Sequence, residues 1–559
     1  CTIKNLVLPA TCMRSGPRSL PELLRLTQRS SQAASAPVTV RPYRASNATV
    51  GTASSQAWTG VTGTSASLCG LCPAVAGLLG NRLGGHRPRA SRTAPHRSCG
   101  TGPFSVEGHR MLAADAGMDA RPVRFLIYGG DSMLGRAVNL TLPWQSPGDE
   151  VVTDSCMASH YLQMALHGGE QEAGELQRMR QENADGSRLW GDLLHLRFDP
   201  PPDVRLLNLE TAVTETITNK DIPNKGINYH MHSNNVAALT SLSSTRHGAI
   251  DNVPYVLSFA NNHSMDFGRQ AFEAESLPRL RALPGQGQMI GAGINLTEAT
   301  KPAILSARDT TVRVFGFASA CSGTPRNWAA SDSHSGIAWL PEVFDADSAD
   351  RAFEVCRRAV EAAPTHRSKS GKQRALLVFS IHWGPNWAYS HPGDGQAYRR
   401  RLAHRLVDEL GVDLVYGHSS HHVRGLEVHS GRLIMYGAGD LVNDYEGFKN
   451  AGEEMYSCLG GVFAVDVAPG TGRVSSVLVV PVAMDRLSVR RVVPSGSLWD
   501  PLARRRRPSG GDVEDLARKL NALSVRDAGS TASAPCLKVR HSSADVGILP
   551  AGPVLVWEA

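Results

Sequence analysis

No stretch of the 559-residue chain holds 18 or more consecutive apolar residues. The nearest, LCPAVAGLLG at 71–80, is too short to cross a bilayer as a helix, so no transmembrane segment is expected. Cysteine is sparse and scattered: the ten residues, among them Cys12, Cys156, Cys321, Cys356, Cys458 and Cys536, show no disulfide-framework spacing. Cys69 and Cys72 form a lone CxxC with no second pair at zinc-finger distance, in a Gly/Ala/Ser-rich stretch that reads as ordinary chain. There is no internal repeat. Acidic residues are almost missing from the first 110 positions, where thirteen Lys and Arg face only Glu22 and Glu107. That surplus of eleven positive charges exceeds the whole-chain net charge of +7, so the remainder is net −4. The basic excess belongs to one end, and nucleic acid is not an expected partner.

Residues 1–117 are rich in Ser, Arg, Ala, Thr, Gly and Pro and lack hydrophobic periodicity, a composition that cannot bury enough apolar surface to offset ordering entropy. They are expected to be a disordered extension. An Arg- and Ser-rich, acid-poor start also suits an organelle transit peptide, and Met111 is a candidate initiator ahead of the folded body. No secretory signal is visible, which favours a cytoplasmic or organellar location.

From residue 123 the texture changes. Short apolar runs at 123–128, 204–209, 255–260, 312–318, 375–381, 412–416 and 432–436 read as buried strands. Helical patterns lie between them, clearest at 269–283, 350–362 and 396–410. In the last, Tyr398, Leu402, His404, Leu406, Val407 and Leu410 mark an apolar face ended by Gly411. Alternating strands and helices indicate an α/β layered fold over 118–492, with a hairpin at 461–467 and 475–482 added to a sheet. Residues 493–559 read as a partly ordered tail with a helix at 512–524, a possible edge strand in the last ten residues, and the solvated run Arg504–Arg507.

Polar signatures follow the apolar runs in order. VRFLIYGG delivers Asp131, and VRLLNLE places Asn208 and Glu210 on one face of a strand. A carboxylate beside buried strands needs a cation or several donors, because an unpaired buried charge is very costly. Asn261, Asn262 and His263 follow YVLSFA, and three more imidazoles, His382, His418 and His421, lie just past strands. Carboxylates, an amide oxygen and neutral imidazoles are hard-to-borderline ligands, suited to one or two divalent ions such as Zn, Mn or Fe. Asp131, Glu210, Asn262, His382, His418 and His421 are the candidate ligands. His263 is placed to act as general acid, while Asp266 either orients that imidazole or caps the helix beginning near Phe267. Trp383 and Trp387 are expected to wall the pocket.

GGDSMLGR, NLETAVT, ANNHSMDFG, IHWGPNW and YGHSSHHVRGLEVHSGRLIMYGAGDLVNDYEG resemble the successive motifs of the CapA family. These are poly-γ-glutamate (capsule) synthesis proteins whose fold is related to the calcineurin-like metallophosphoesterases. The resemblance implies a four-layer α/β/β/α sandwich with metal at the strand ends. Where such enzymes carry Asp-x-His first, this chain has Met133 in the His position; Glu210 stands where a bridging Asp is usual, and His418 and His421 match a Gly-His-x-His pair with one extra residue between them. The first metal position is then short of one ligand. The implied activity is hydrolysis of a phosphoester or a γ-glutamyl amide, with Arg136, Lys225, His230, His232 and Arg424 as expected contacts for an anionic polymer, peptide or phosphoester substrate. Two alternatives stay open: a non-catalytic binding or export factor for an anionic polymer, and a peptide-modifying enzyme using the same site.

Overall fold

The computed structural model describes residues 121–149, 158–166, 174–217, 222–223, 225–243, 252–284, 286–364, 374–386, 395–446, 459–492, 499–500, 505–506, 510–541, 543–550 and 552–559. The extension expected over residues 1–117, with Met111 and the Cys69/Cys72 pair, lies outside the described residues, as does Trp387.

The chain is mixed α/β. Each expected apolar run forms a strand: Val123–Ser132, Val204–Leu209, Tyr255–Ser258, Thr310–Ser319, Leu376–His382, Leu414–His418 and Arg432–Met435. Every residue of Val204–Leu209 and of Leu376–His382 is buried, as expected for parallel strands covered on both faces.

Among the described residues these strands divide between a ten-stranded and a seven-stranded sheet. Val123–Ser132 lies mid-sheet in the larger one. On one side Val204–Leu209, Tyr255–Ser258 and Gly287–Ile290 follow in parallel. On the other, Leu459–Val467 pairs antiparallel with it and then with Val474–Met484, the expected hairpin. The smaller sheet runs Trp339–Leu340, Thr310–Ser319, Leu376–His382, Leu414–His418 and Arg432–Met435 in parallel, with Leu426–His429 antiparallel at its end.

Alternation along the strands sorts the core. Phe125, Ile127, Leu206 and Val256 of the larger sheet share one buried cluster with Val314, Val378, Leu414 and Leu433 of the smaller sheet. Their neighbours turn the other way. Leu126, Leu207 and Leu257 join Leu162, Trp190 and Leu277, whereas Phe315, Phe379 and Val415 join Phe353, Leu402 and Leu406 of two helices.

Those two helices are Ala346–Ala362 and Gln396–Leu410. The first is fixed by a capping box between Asp345 and Ser348, which satisfies backbone donors at its start. The second buries Arg399, Leu402, Ala403, Leu406 and Val407; Tyr398 is exposed and His404 half-buried, so the apolar face is narrower than expected.

Toward the C-terminus, the helix Gly510–Ala528 inserts Val513, Leu516, Ala517 and Leu520 into the cluster shared by the sheets. The strand Val554–Glu558 is not the edge strand expected of the last ten residues; it lies between Val474–Met484 and Lys538–Arg540. The edge belongs to Lys538–Arg540, whose exposed charged side chains discourage pairing with another chain.

Leu520 is fully buried, so Leu520→Ala should cost about 2–5 kcal/mol in chemical denaturation. A loss below about 1 kcal/mol would mean the C-terminal helix is peripheral to the core.

Candidate metal centre

Parallel register brings the polar strand ends to one level. Asp131 pairs with Asn208 on one side and Asp440 on the other, and His382 pairs with His418 on the next strand of the second sheet. Gly130 makes the approach to Asp440 possible: a Cβ there would lie 2.1 Å from the Gly439 carbonyl oxygen, which instead accepts the Asp131 amide at 2.9 Å.

Three imidazoles face Asp131. His382 Nδ1 is 3.6 Å and His418 Nδ1 3.8 Å from its Oδ1, and His421 Nδ1 is 3.5 Å from its Oδ2. Asn208 donates to Oδ1 at 2.8 Å and the Ser419 amide to Oδ2 at 2.9 Å, which fixes the carboxylate's orientation. His382 Nδ1 lies 2.8 Å from His418 Nδ1, and His382 Nε2 lies 2.9 Å from Asn262 Oδ1. The segment GHSSHH turns sharply: Ser419 (φ 100°) and His421 (φ 56°) adopt left-handed backbone. For residues other than glycine this costs on the order of 1–3 kcal/mol each, and it swings His421 back onto Asp131 despite the extra residue.

Glu210 is fully buried, and among the described residues no N–H or hydroxyl donor reaches its carboxylate oxygens, although the Asp131 carboxyl lies close enough to share a proton with it. Its neighbours are His382 Nε2 at 3.7 Å and His263 Nε2 at 3.8 Å.

The turn 261–266 is built on Asn261. Its amide donates to the Leu209 carbonyl at 2.7 Å, and its Oδ1 accepts the His263 amide at 3.1 Å. His263 Nδ1 meets Asp266 Oδ2 at 2.6 Å, and among the described residues Nε2 has no hydrogen-bond partner. Asp266 also accepts the Tyr229 amide and pairs with Lys225 Nζ at 2.6 Å. The helix after this turn takes no side-chain cap from its N-cap, Phe267. Asp266 therefore faces His263, and it does not cap the helix.

Of the residues expected to meet substrate, Lys225 adjoins the cluster, with Nζ also bonded to the Asn262 carbonyl. The others are engaged elsewhere. Arg136 is buried against Asp444 and packs over the rings of Tyr161 and Tyr229 at 3.7 and 4.7 Å. His230 bonds Asp149 at 2.5 Å and the Thr214 carbonyl at 2.8 Å. His232 caps Asn234 and stacks on Trp144. Arg424 faces Asp527 of the C-terminal helix at 3.4 Å. Trp383 does not wall a pocket: it is buried in the helix-side core of the smaller sheet and donates to the Tyr436 carbonyl at 3.0 Å. One residue was missed. Asp440 lies 3.1 Å from His421 Nδ1, with Asn443 holding its other oxygen.

One donor atom from each of Asp131, His382 and His418 lies within 4.8 Å of the others, and the same holds for Asp131, His421 and Asp440. Both groups could hold a metal ion. Burial, then the charge of Asp131, pushes the Glu210 carboxyl well above the usual range. Burial likewise raises Asp131 to about 6, against the pull of His421. Burial holds His382 well below its usual value, with His418 and His421 adding to the effect, and lowers His418 itself to about 3. His382 and His418 are thus neutral, as ligation requires. His421, against the effect of burial, is raised well above its ordinary value by Tyr445, Asp440 and Glu210, so His421 and Glu210 would each have to release a proton when a metal binds.

A model of the family described as bacterial capsule synthesis protein PGA_cap matches residues 125–445. The chain belongs to that family. A probable polyglutamine synthesis accessory protein of Mycobacterium tuberculosis is 33% identical over 379 residues, spanning 67% of this chain and 88% of that protein. The PGA biosynthesis protein CapA of Bacillus subtilis is 29% identical over 191 residues, 34% of this chain and 42% of its own length. The solved structure of GAP50, the anchor in the inner membrane complex of Plasmodium, gives a TM-score of 0.27 at 8% identity, covering 72% of this chain and 95% of that one, and bears on neither fold nor function. The family assignment bears out the resemblance carried by the five motifs, four of which fall inside the matched segment while the fifth runs two residues past its end.

Glu210→Gln gives a test with a sign. A carboxyl with a raised folded pKa destabilises the folded state increasingly above its ordinary 4.5, by about 1.4 kcal/mol per pH unit until the folded value is passed. In metal-free protein Glu210→Gln should therefore be stabilising at pH 7–8 and near neutral at pH 4–5. After metal loading it should be destabilising. A gain that does not depend on pH would show that the carboxyl's ionisation is not the cause.

Proposed function

We propose that the chain is a metal-dependent hydrolase of the CapA family, acting on a phosphoester or γ-glutamyl amide in poly-γ-glutamate synthesis or processing. In this reading the two sheets and their flanking helices form a four-layer α/β/β/α sandwich of the metallophosphatase-like type. The sharing of one core cluster by both sheets, with helices packed on each outer face, supports it. The observation that carries the proposal is Glu210, a fully buried carboxylate with no N–H or hydroxyl donor among the described residues, facing neutral histidines and a second carboxylate. Such a group is stable only with a proton or a cation, and the imidazoles and carboxylate around it are suited to hold the cation.

Asp131, Glu210, Asn262, His382, His418, His421 and Asp440 would hold one or two divalent ions, and this mixture of oxygen and imidazole donors fits Zn, Mn or Fe. Met133 offers only a thioether, and the Tyr445 hydroxyl contacts its sulfur at 3.7 Å. Asp440 supplies a further carboxylate beside His421. When bound, the metal supplies Lewis acidity that brings the pKa of water from about 15.7 toward about 7.

The protein's own groups handle the proton. Asp266 accepts Nδ1–H of His263 and leaves Nε2 to exchange a proton with a substrate. Burial, reinforced by the charge of Lys225, holds His263 well below its usual value, so the free imidazole is neutral and would serve as an acid only once an anionic substrate at Nε2 favours its protonation. Asp266 offsets that charge. Tyr229, with its ring 4.3 Å from His263, limits the imidazole's rotation. The description of the mycobacterial relative as an accessory protein favours a second reading, in which the same centre binds an anionic polymer without turnover.

Elemental analysis paired with a panel of phosphoesters and γ-glutamyl amides tests these readings. His382→Ala and His418→Ala should each lower bound metal, and unchanged stoichiometry in both would refute ligation. His263→Ala should keep metal and melting temperature while slowing turnover about 10²–10⁴-fold, least for substrates with good leaving groups. Full metal content without turnover of any substrate would favour the binding reading.

A further inference from the structure

A second group of metal-ligating side chains sits apart from the first and shares none of its residues. His404 lies on the helix Gln396–Leu410, and Glu427 and His429 lie on the strand Leu426–His429. Period-2 geometry puts Glu427 and His429 on one face of their strand. One donor atom from each of the three lies within 4.8 Å of the others.

The supports around this group are those of a built site. His404 Nε2 is 2.9 Å from Glu427 Oε1, a hydrogen-bonded contact that would open slightly to admit an ion between the two atoms. Glu427 is nearly fully buried, and its Oε2 accepts the Tyr436 hydroxyl at 2.6 Å, which turns Oε1 toward the histidines. Asp408, one turn after His404 on the same helix, accepts from His429 Nε2 at 2.8 Å and is itself held by the Ser430 hydroxyl at 3.1 Å. This selects the tautomer in which His429 Nδ1 carries the lone pair, the carboxylate–histidine arrangement that orients metal-bound imidazoles. The two rings stack with centroids 3.7 Å apart and planes 6° from parallel; an ion must lie near the plane of each imidazole that binds it, so one ring has to rotate for both to bind the same ion. Side-chain exposures of 30% for His404 and 22% for His429 leave both rings partly open to solvent.

We propose that His404, Glu427 and His429 form a second divalent-metal site suited to Zn²⁺, with water completing a tetrahedral shell and Asp408 as the positioning residue for His429. The donors come from a helix and from a hairpin strand, so the ion staples the two together. Its stabilisation follows the mass action expected for a ligand that binds only the folded chain. The inference stands independently of the hydrolase reading.

Zinc content and the zinc-induced rise in melting temperature of the full chain provide the test. His404→Gln combined with His429→Gln should remove one zinc equivalent and most of the melting-temperature rise assigned to this site. It should leave the metal-free melt nearly unchanged, since both side chains are partly exposed. Asp408→Asn should weaken zinc binding at this site about 10–100-fold. Equal zinc content and an equal shift in wild type and the double variant would overturn the proposal. A complementary variant avoids dependence on folding of the double mutant: His382→Ala should retain zinc at the second site, and retention abolished by adding Glu427→Gln supports the assignment. Loss of all zinc in His382→Ala alone would overturn it.

Discussion

Asp131, Glu210 and Asp440 place three carboxylates in a nearly solvent-free region, with Asp131 and Glu210 fully buried and Asp440 almost so. Removing such charges from water costs several kcal/mol each, and like charges at short range add to that cost. His382 and His418, kept neutral by burial, do not relieve it. His421, against the effect of burial, is raised well above its ordinary value by Tyr445, Asp440 and Glu210, and relieves it only in part. Protonation of the acids or binding of a cation are the two ways to lower that energy. The rest of the architecture consists of features that hold the groups in place against their mutual repulsion.

Those features are mostly backbone. Parallel pairing aligns Asp131 with Asn208, and His382 with His418, so a cluster drawn from two sheets is set by strand register and not by flexible loops. Gly130 lets the strand of Asp131 run against Gly439, which is what admits Asp440. Left-handed backbone at Ser419 and His421 returns the second histidine of GHSSHH to the cluster. A second layer of hydrogen bonds from Asn208, Ser380, Asn443 and the Ser419 amide then orients the first. Positions held this way need little rearrangement when an ion arrives, which favours both affinity and catalysis.

Most of the strands were legible because burial on both faces leaves short apolar runs that stand out from their surroundings, as in VRLLNL and LLVFSIH. The strand Leu426–His429 was not singled out, although Ser430 and Gly431, both with positive φ, form the two-residue turn that would have marked its hairpin. Asp440 was missed for a different reason. It follows GAG and reads as a turn residue, and its role depends on parallel pairing with a strand distant in sequence. The cations expected at substrate show the same limit from the other side. Arg136, His230 and Arg424 read as free positive groups, but each finds a carboxylate, Asp444, Asp149 and Asp527, that only tertiary contact reveals. Local pattern thus identified which side chains gather at strand ends, and it could not say which charges neutralise one another.

Anomalous diffraction from crystals of the full chain grown with Zn²⁺ or Mn²⁺, recorded on both sides of the metal's absorption edge, tests the central claim most directly. The account predicts an edge-dependent peak within coordinating distance of Glu210, Asp131 and the His382–His418 pair. Metal-saturated crystals with no such peak, and with Glu210 sharing a proton with Asp131 in its place, would contradict it.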